Sequence, residues 1–160
     1  MKTLTLTLIP FLLATASHKT IKQPANDPTL TKLTYSFHTN DDDKDWDTQV
    51  GAQITLNGHL IAERFCCSAD RKHDHWNDHS ESPVMPLTII EKITKNQLNG
   101  ASYVVSIQAN GSDKWNFDAR LHAEFNDGTQ RDWTFLTHSL NSRHNQRVSN
   151  TFALSDHHRP

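Results

Sequence analysis

Apolar and polar residues alternate with a period of two along most of the chain, and no stripe of helical spacing is comparably clear. Turn signals separate the alternating runs at Asn57-Gly58, Asn99-Gly100 and Asp127-Gly128. This pattern predicts an all-β domain, an antiparallel β-sandwich of about seven to eight strands. Segment 88–98 also fits a short helix. The strands are expected at residues 31–39, 49–57, 59–65, 86–93, 102–109, 115–125, 130–137 and 147–154.

The direction of successive strands predicts which loops lie together. If each strand reverses the direction of the one before, as in hairpins and Greek keys, the connections alternate between the two ends of the sandwich. The three glycine-containing turns then share one end. The acidic, His-rich and NGSDKW stretches of the chain meet at the other. The loops expected at that second end are 40–48, 66–85, 110–114 and 138–146.

The N-terminal residues read as a secretory signal peptide. A lysine follows the initial Met, the apolar run at 4–16 is too short to span a bilayer, and Ala14-Thr15-Ala16 gives a small-residue cleavage pattern. A buried N-terminal strand is the alternative. We therefore predict a secreted or periplasmic protein with no transmembrane segment. The expected divisions are a signal peptide at 1–16, a loose lead-in at 17–30, the sandwich at 31–154 and a tail at 155–160.

Composition limits what holds the fold together and what it binds. Only 35% of the residues are hydrophobic, and the mean hydropathy of -0.68 is low for a globular core. Something besides apolar burial is therefore expected to help hold the domain. A formal net charge of -2, without a basic stripe, predicts no nucleic-acid partner. The two cysteines, Cys66 and Cys67, are adjacent, which leaves a redox pair, soft metal ligands, or one buried thiol beside an exposed one.

The stretch NDDDKDWDT at 40–48 concentrates carboxylates, whose oxygens are the ligands that Ca²⁺ prefers. Its spacing begins like an EF-hand loop. Thr48 then stands where Gly is required and Ile54 where the bidentate Glu belongs, so an EF-hand is excluded. We predict instead a Ca²⁺ site at the end of the sandwich, and a solvated acidic surface loop is the alternative. The predicted ligands are Asp41, Asp42, Asp43, Asp45, Asp47, Asp78 and Asp113.

A candidate second metal site lies in HDHWNDH at 73–79, where His73, His75 and His79 would bind Zn²⁺ or Cu²⁺, with Cys66 or Cys67 as additional ligands. The stretch is similar to the H-x-H-x-D-H zinc signature of metallo-β-lactamase-type hydrolases. Its spacing is one residue too long, and the chain is too short for that fold. Chance clustering among eleven His residues is the alternative.

Tryptophans accompany three of the loops expected at this end. Trp46 and Trp76 are candidate ligand-binding residues, because an aromatic ring beside a cation-binding loop can stack on a sugar or enter a membrane interface. Plugging the open end of the sandwich is the alternative, which we favour for Trp115. Trp46 is the one we expect to be exposed, since it lies between two Asp residues. Without a G-x-S-x-G elbow, the sequence assigns no catalytic residue.

The stretches NDDDKDWDT, WNDHS and NGSDKWNFDARLHAEFNDGT resemble an uncharacterised, mostly bacterial, secreted domain type with DDDKDxDT, N-D-x-S and N-G-x-D-x-W-x-F motifs. That type is similar to PLAT-like and other calcium-binding β-sandwich modules. The resemblance covers residues 31–154 and implies a calcium-binding sandwich without enzymatic activity, with the same seven Asp residues as its site. The His-rich loop and the Cys pair depart from it, which leaves the preferred ion open.

The function predicted from these features is that of a secreted, non-enzymatic, calcium-binding module. Its loop end would recognise the surface of a glycan, a lipid headgroup or a protein. The alternative is a small secreted inhibitor or immunity-type protein that blocks an enzyme, its acidic loop pairing with a basic cleft. A zinc-dependent hydrolase is a third hypothesis.

Overall fold

A computed structural model of the protein describes residues 27–66, 75–143 and 146–155. The predicted signal peptide lies outside these residues, as do His73 and Cys67. In the described part of the chain, no helix is long and apolar enough to cross a membrane. The elements are β1 (Leu30–Thr39), β2 (Thr48–Leu56), β3 (His59–Cys66), β4 (Met85–Pro86), β5 (Thr88–Ile89), α1 (Lys95–Leu98), β6 (Ser102–Ala109), β7 (Ser112–Phe125), β8 (Gln130–Arg143) and β9 (Val148–Ala153).

Two antiparallel sheets pack face to face, one with the order β4-β1-β7-β8 and the other with the order β5-β3-β2-β6-β9. The predicted all-β sandwich is confirmed, with nine strands among the described residues. One more strand is present than expected because the predicted strand at 86–93 is divided between the sheets. Met85–Pro86 pairs with β1, whereas Thr88–Ile89 pairs with β3. Leu87 between them is buried in the core.

The ambiguous segment 88–98 contains both kinds of structure: it begins with β5 and ends with a single helical turn, α1, before β6. Thr94 caps it, since its hydroxyl accepts a hydrogen bond from the backbone N–H of Gln97 while the Gln97 side chain accepts one from the backbone N–H of Thr94. This reciprocal pair is a capping box, which favours helix initiation. Leu98 is fully buried and anchors the turn to the sandwich.

The core follows the predicted alternation. On β1 the side chains of Leu33, Tyr35 and Phe37 are buried while their neighbours along the strand are less so. The same pattern holds in β2, β6 and β7, so each sheet turns one apolar face inward. Apolar area removed from water in this way stabilises the fold by about 25 cal/mol per Å².

The register of the pairs places four connections at one end of the sandwich, which we call the loop pole. The end of β1 at Thr39 lies opposite Phe117 near the start of β7. The start of β7, in turn, lies opposite the end of β8, and the start of β2 lies opposite the end of β6. Every loop-pole connection joins the two sheets, and the predicted convergence of these loops is confirmed. The described parts of the four connections are 40–47, 75–84, 110–111 and 146–147.

Candidate functional site at the loop pole

The acidic loop, residues 40–47, is fastened on two sides by backbone hydrogen bonds. Lys44 and Trp76 exchange two of them, with N···O distances of 3.0 and 3.2 Å. On the other side, the N–H of Asn116 on β7 donates to the carbonyl of Asp42 over 3.1 Å. The loop is therefore attached on one side to the segment that contains Trp76 and on the other to β7.

Lys44, the single basic residue of the acidic loop, is fully buried. Its ammonium donates to the carbonyl oxygens of Asp45 at 2.7 Å and Thr48 at 3.1 Å. It also lies over the ring of Trp76, 5.1 Å from the centroid. A buried charge is costly unless it is paired, and the carbonyl dipoles and the negative ring face supply that pairing. The acidic loop is thus built around a cation that the chain itself provides.

An aromatic cluster separates this lysine from the apolar core. The Trp76 ring centroid lies 5.6 Å from that of Phe37 and 5.4 Å from that of Trp115. Trp115 is fully buried, as expected, and its indole N–H donates to the hydroxyl of Thr39. Only 5% of Trp76 is exposed, and its ring contacts Phe37, Trp115 and the Lys44 ammonium, an arrangement that fits the alternative role of closing the end of the sandwich; ligand binding by Trp76 stays a prediction.

Two of the predicted calcium ligands already have partners in the chain. The Asp42 carboxylate accepts from the Lys114 ammonium at 2.5 Å and from the Asn116 side-chain amide at 2.6 Å. Asp41 lies 3.4 Å from His79, with both side chains largely exposed. Asp42 is therefore committed to the contact between the acidic loop and β7.

Three side chains come within metal-binding distance of one another, namely Asp43, Asp45 and His75. One ligand atom from each lies within 4.8 Å of those of the other two, and His75 Nε2 is 2.5 Å from an Asp43 carboxylate oxygen. Their meeting follows from the bridge between Lys44 and Trp76. Because those two side chains point inward, the residues that flank them in extended backbone point outward together.

The cluster brings together residues from two sites that the sequence predicts separately, Asp43 and Asp45 from the predicted calcium site and His75 from the predicted zinc or copper site. We call Asp43, Asp45 and His75 the pole cluster. Its side chains are partly accessible to solvent. Two carboxylates and an imidazole are ligands that a divalent cation can use, and the remaining positions would be open to water or to a partner.

Asp113 stands behind the pole cluster on β7. It is buried, and one of its carboxylate oxygens accepts from the backbone N–H of Asp45 over 3.3 Å. Burial raises the pKa of Asp113 above its ordinary value, the Asp45 charge adds to the rise, and the Lys44 ammonium opposes it. Asp113 thus positions the loop that carries the cluster.

The other predicted residues lie at the same pole but outside the cluster. In the described part of the chain, the side chains of Asp47 and Asp78 make no hydrogen bond or ion pair, and neither joins Asp43. Trp46 is 51% exposed, which confirms its expected exposure. The predicted ligand His73 lies outside the described residues.

The sequence does not by itself predict the roles of Lys44, Lys114 and Asn116. A lysine flanked by Asp on both sides reads as a solvated charge, whereas it is the most buried residue of its loop. The signal in the sequence that points to its role is the mutual repulsion of five neighbouring carboxylates, which a nearby positive charge reduces. Lys114 and Asn116 are two residues apart on β7, so their side chains lie on the same face of the strand, the face that meets Asp42.

Cys66, at the end of β3, is disulfide-bonded. A sulfur in a disulfide is not the thiolate that binds a soft metal ion. Cys66 in this state therefore adds no ligand to the predicted zinc or copper site.

Fold and site together define an antiparallel β-sandwich whose inter-sheet loops form a charged pole with two carboxylates and an imidazole in a cluster. Comparisons of the chain with known protein families, with characterised proteins and with solved structures find no match. The relation to PLAT-like calcium-binding modules stays a prediction.

Proposed function

We propose that this protein is a secreted, non-enzymatic binding module that holds a divalent cation in its pole cluster and recognises a surface through the loop pole. The observation that carries this function is the convergence of Asp43, Asp45 and His75 on loops fastened by backbone hydrogen bonds. Trp46, exposed between two carboxylates, offers an aromatic ring beside the cation for contact with a glycan, a lipid headgroup or a protein.

Calcium is the ion that we propose, since carboxylates are the more numerous ligands at this pole and water can complete a shell of six to eight oxygens. Zinc or copper is the competing candidate, because an imidazole suits these ions and His75 lies close to both Asp43 and Asp45. The two assignments differ in what they require of His75. Calcium binding needs the carboxylates and tolerates the loss of the imidazole, whereas zinc binding needs both.

Thermal melting of the full chain tests this function. An ion that binds only the folded form raises stability by about 2.7 kcal/mol at a hundredfold excess over its Kd. For a domain of this size, that corresponds to a rise of about 10 °C in melting temperature. We expect this rise with Ca²⁺ and its reversal by chelator. An unchanged midpoint with Ca²⁺ and with Zn²⁺ would contradict cation binding.

Three variants assign the effect to residues. Asp43→Asn should abolish the rise, while Asp47→Asn, a matched change in the same loop outside the cluster, should leave it intact. His75→Gln should preserve the response to Ca²⁺ and remove any response to Zn²⁺. Loss of the calcium response in Asp47→Asn but not in Asp43→Asn would place the ion elsewhere in the loop.

The second candidate function is inhibition of an enzyme by the acidic loop. The exposure of Trp46 between Asp45 and Asp47 favours it, because an aromatic anchor with flanking charges fits a basic cleft. Pull-down with wild type and with Trp46→Ala in the presence of chelator separates the two functions. Capture of a hydrolase that is chelator-resistant and lost with Trp46 would favour the inhibitor.

A further inference from the structure

An open groove of about 520 Å³ lies at the loop pole, on the side of the β7-β8 hairpin. It does not contain the pole cluster, although Asp113 borders both. Pockets of this volume are large enough for a small organic ligand. The lining residues are Gly111, Ser112, Asp113, Lys114, Asn141 and Arg143.

The strand register explains why the polar lining faces outward. Ser112 lies opposite Arg143, and Lys114 lies opposite Asn141. These four side chains are exposed, whereas Asp113 between them points inward and is buried. Lys114 and Arg143 are therefore diagonal neighbours on one face, with Cα atoms about 7–8 Å apart. Two cations are placed side by side with a hydroxyl and an amide between them.

The two basic residues of the groove differ in whether they have an ion-pair partner. Lys114 is paired with Asp42 at 2.5 Å. Arg143 has no side-chain hydrogen bond or ion pair with any residue that the structure describes. Its guanidinium carries five donors in a planar fork suited to a carboxylate or sulfate. Among the described residues, the groove therefore presents an unpaired arginine beside neutral hydrogen-bonding groups and a lysine that is already paired.

We propose that this groove binds an acidic saccharide, with Arg143 pairing with a carboxylate or sulfate group while Ser112 and Asn141 hydrogen-bond to neighbouring hydroxyls. A sugar fits because the groove also offers the Ser112 hydroxyl, the Asn141 amide and exposed backbone at Gly111, while Lys114 is paired with Asp42 and the Asp113 carboxylate is turned inward. The groove is open, so an internal unit of a chain can occupy it. Saccharide binding rests on the proposed recognition role of the loop pole but not on the cation, since the pole cluster contributes no lining residue.

Calorimetric titration of the full chain with defined tetrasaccharides tests this binding. The probes are a galacturonic acid tetramer, a sulfated tetramer and neutral cellotetraose, all at low ionic strength. We expect binding of at least one acidic probe and none of the neutral probe. Preference between the acidic probes identifies carboxylate or sulfate as the recognised group. Equal binding of cellotetraose, or binding of no probe, would overturn the assignment.

Arg143→Gln should weaken binding of the acidic probe about tenfold or more, which is the loss of affinity expected when one charge-assisted hydrogen bond is removed. Arg147→Gln is the matched control. It removes the same charge at the same pole, but Arg147 lies over the ring of Phe65 on the other sheet, 4.7 Å from its centroid. We expect less than about a twofold effect there. Equal losses in both variants would show unspecific attraction and contradict a site at Arg143.

Repeating the titration with Asp43→Asn in chelator separates the groove from the pole cluster. Binding should persist there, which supports the groove whatever the outcome of the calcium melts. Loss of saccharide binding in this variant, with folding intact, would show that the ligand sits at the pole cluster and not in the groove.

Discussion

Replacing Lys44 with Met tests whether the acidic loop is organised by the chain's own cation. Methionine keeps most of the apolar stem and fills similar space, so the change removes the ammonium more than the packing. The ammonium is fully buried and donates to the carbonyls of Asp45 and Thr48. Its loss leaves both acceptors without this donor, and it removes the charge that opposes the buried Asp113 carboxylate.

The expected loss of stability is about 3 kcal/mol. Breaking a buried charged interaction by removing one partner costs about 3–5 kcal/mol, and the lower end applies because the ammonium no longer needs to be desolvated. For a domain of this size, the melting temperature should fall by about 10 °C. Thermal unfolding followed by circular dichroism in chelator measures it. Lys32→Met is the control: this lysine is 54% exposed and pairs with Glu124, so a change of less than about 1 kcal/mol is expected.

A double-mutant cycle with Asp113→Asn isolates the link between the lysine and the buried carboxylate. If Lys44 offsets the charge of Asp113, the double variant should be more stable than the two single effects predict, by about 1 kcal/mol or more. Additive effects would refute this link. A melting temperature of Lys44→Met within about 3 °C of wild type would refute the larger inference that a buried ammonium holds the acidic loop.

Three further predictions concern single positions. The pKa of Asp113 is raised by burial in the folded state, so its contribution to stability is lost as pH rises above the ordinary value of 3.8. Asp113→Asn should melt higher than wild type at neutral pH in chelator and at the same temperature at about pH 3. Thr137 has a φ of 59°, which is strained for a β-branched residue, so Thr137→Gly should gain about 1 kcal/mol in urea unfolding, whereas Thr134→Gly on the same strand should lose about that much. A β-carbon at Gly51 would lie 2.5 Å from a neighbouring side-chain oxygen, so Gly51→Ala should cost about 1–3 kcal/mol while Gly111→Ala, which meets nothing within 4 Å, should melt like wild type.

The strands of this fold could be predicted where the alternation is unbroken. The prediction fails where the apolar-polar alternation of a strand changes phase. The sequence predicts that β8 ends near Thr137, whereas it continues to Arg143. A bulge explains the difference: Phe135 lies opposite Ala119 but His138 lies opposite Phe117, so the inward positions shift by one residue. An alternation that restarts out of phase looks like a loop in the sequence.

The division of segment 86–93 between two sheets also cannot be predicted from hydrophobic periodicity. Met85 and Leu87 are both buried, as in one alternating strand, yet the chain crosses from one sheet to the other around Leu87. Burial on both sides of the crossing gives the same pattern as burial on one face. Pairing partners, which the pattern does not contain, decide between the two arrangements.

The site was predictable at the level of loops but not of side chains. Strand parity requires only that successive strands reverse direction, so it brings the acidic and His-rich loops to one pole whatever their details. Which carboxylates face each other depends on the single bridge between Lys44 and Trp76. That bridge turns Asp43 and His75 to the same side, and no short-range sequence rule sets its register.

The partners found at the loop pole change what a bound cation would do. Lys44 and Lys114 already offset two of the negative charges, and the loop is fastened by backbone hydrogen bonds that need no ion. A cation in the pole cluster would therefore join a folded site and would not create one, unlike a small metal domain that is unfolded without its ion. We expect the chelated protein to keep its strand signal in circular dichroism and to unfold cooperatively, with the ion adding stability on top. Loss of the fold on chelation would mean that the ion, and not Lys44, is the central charge of the loop.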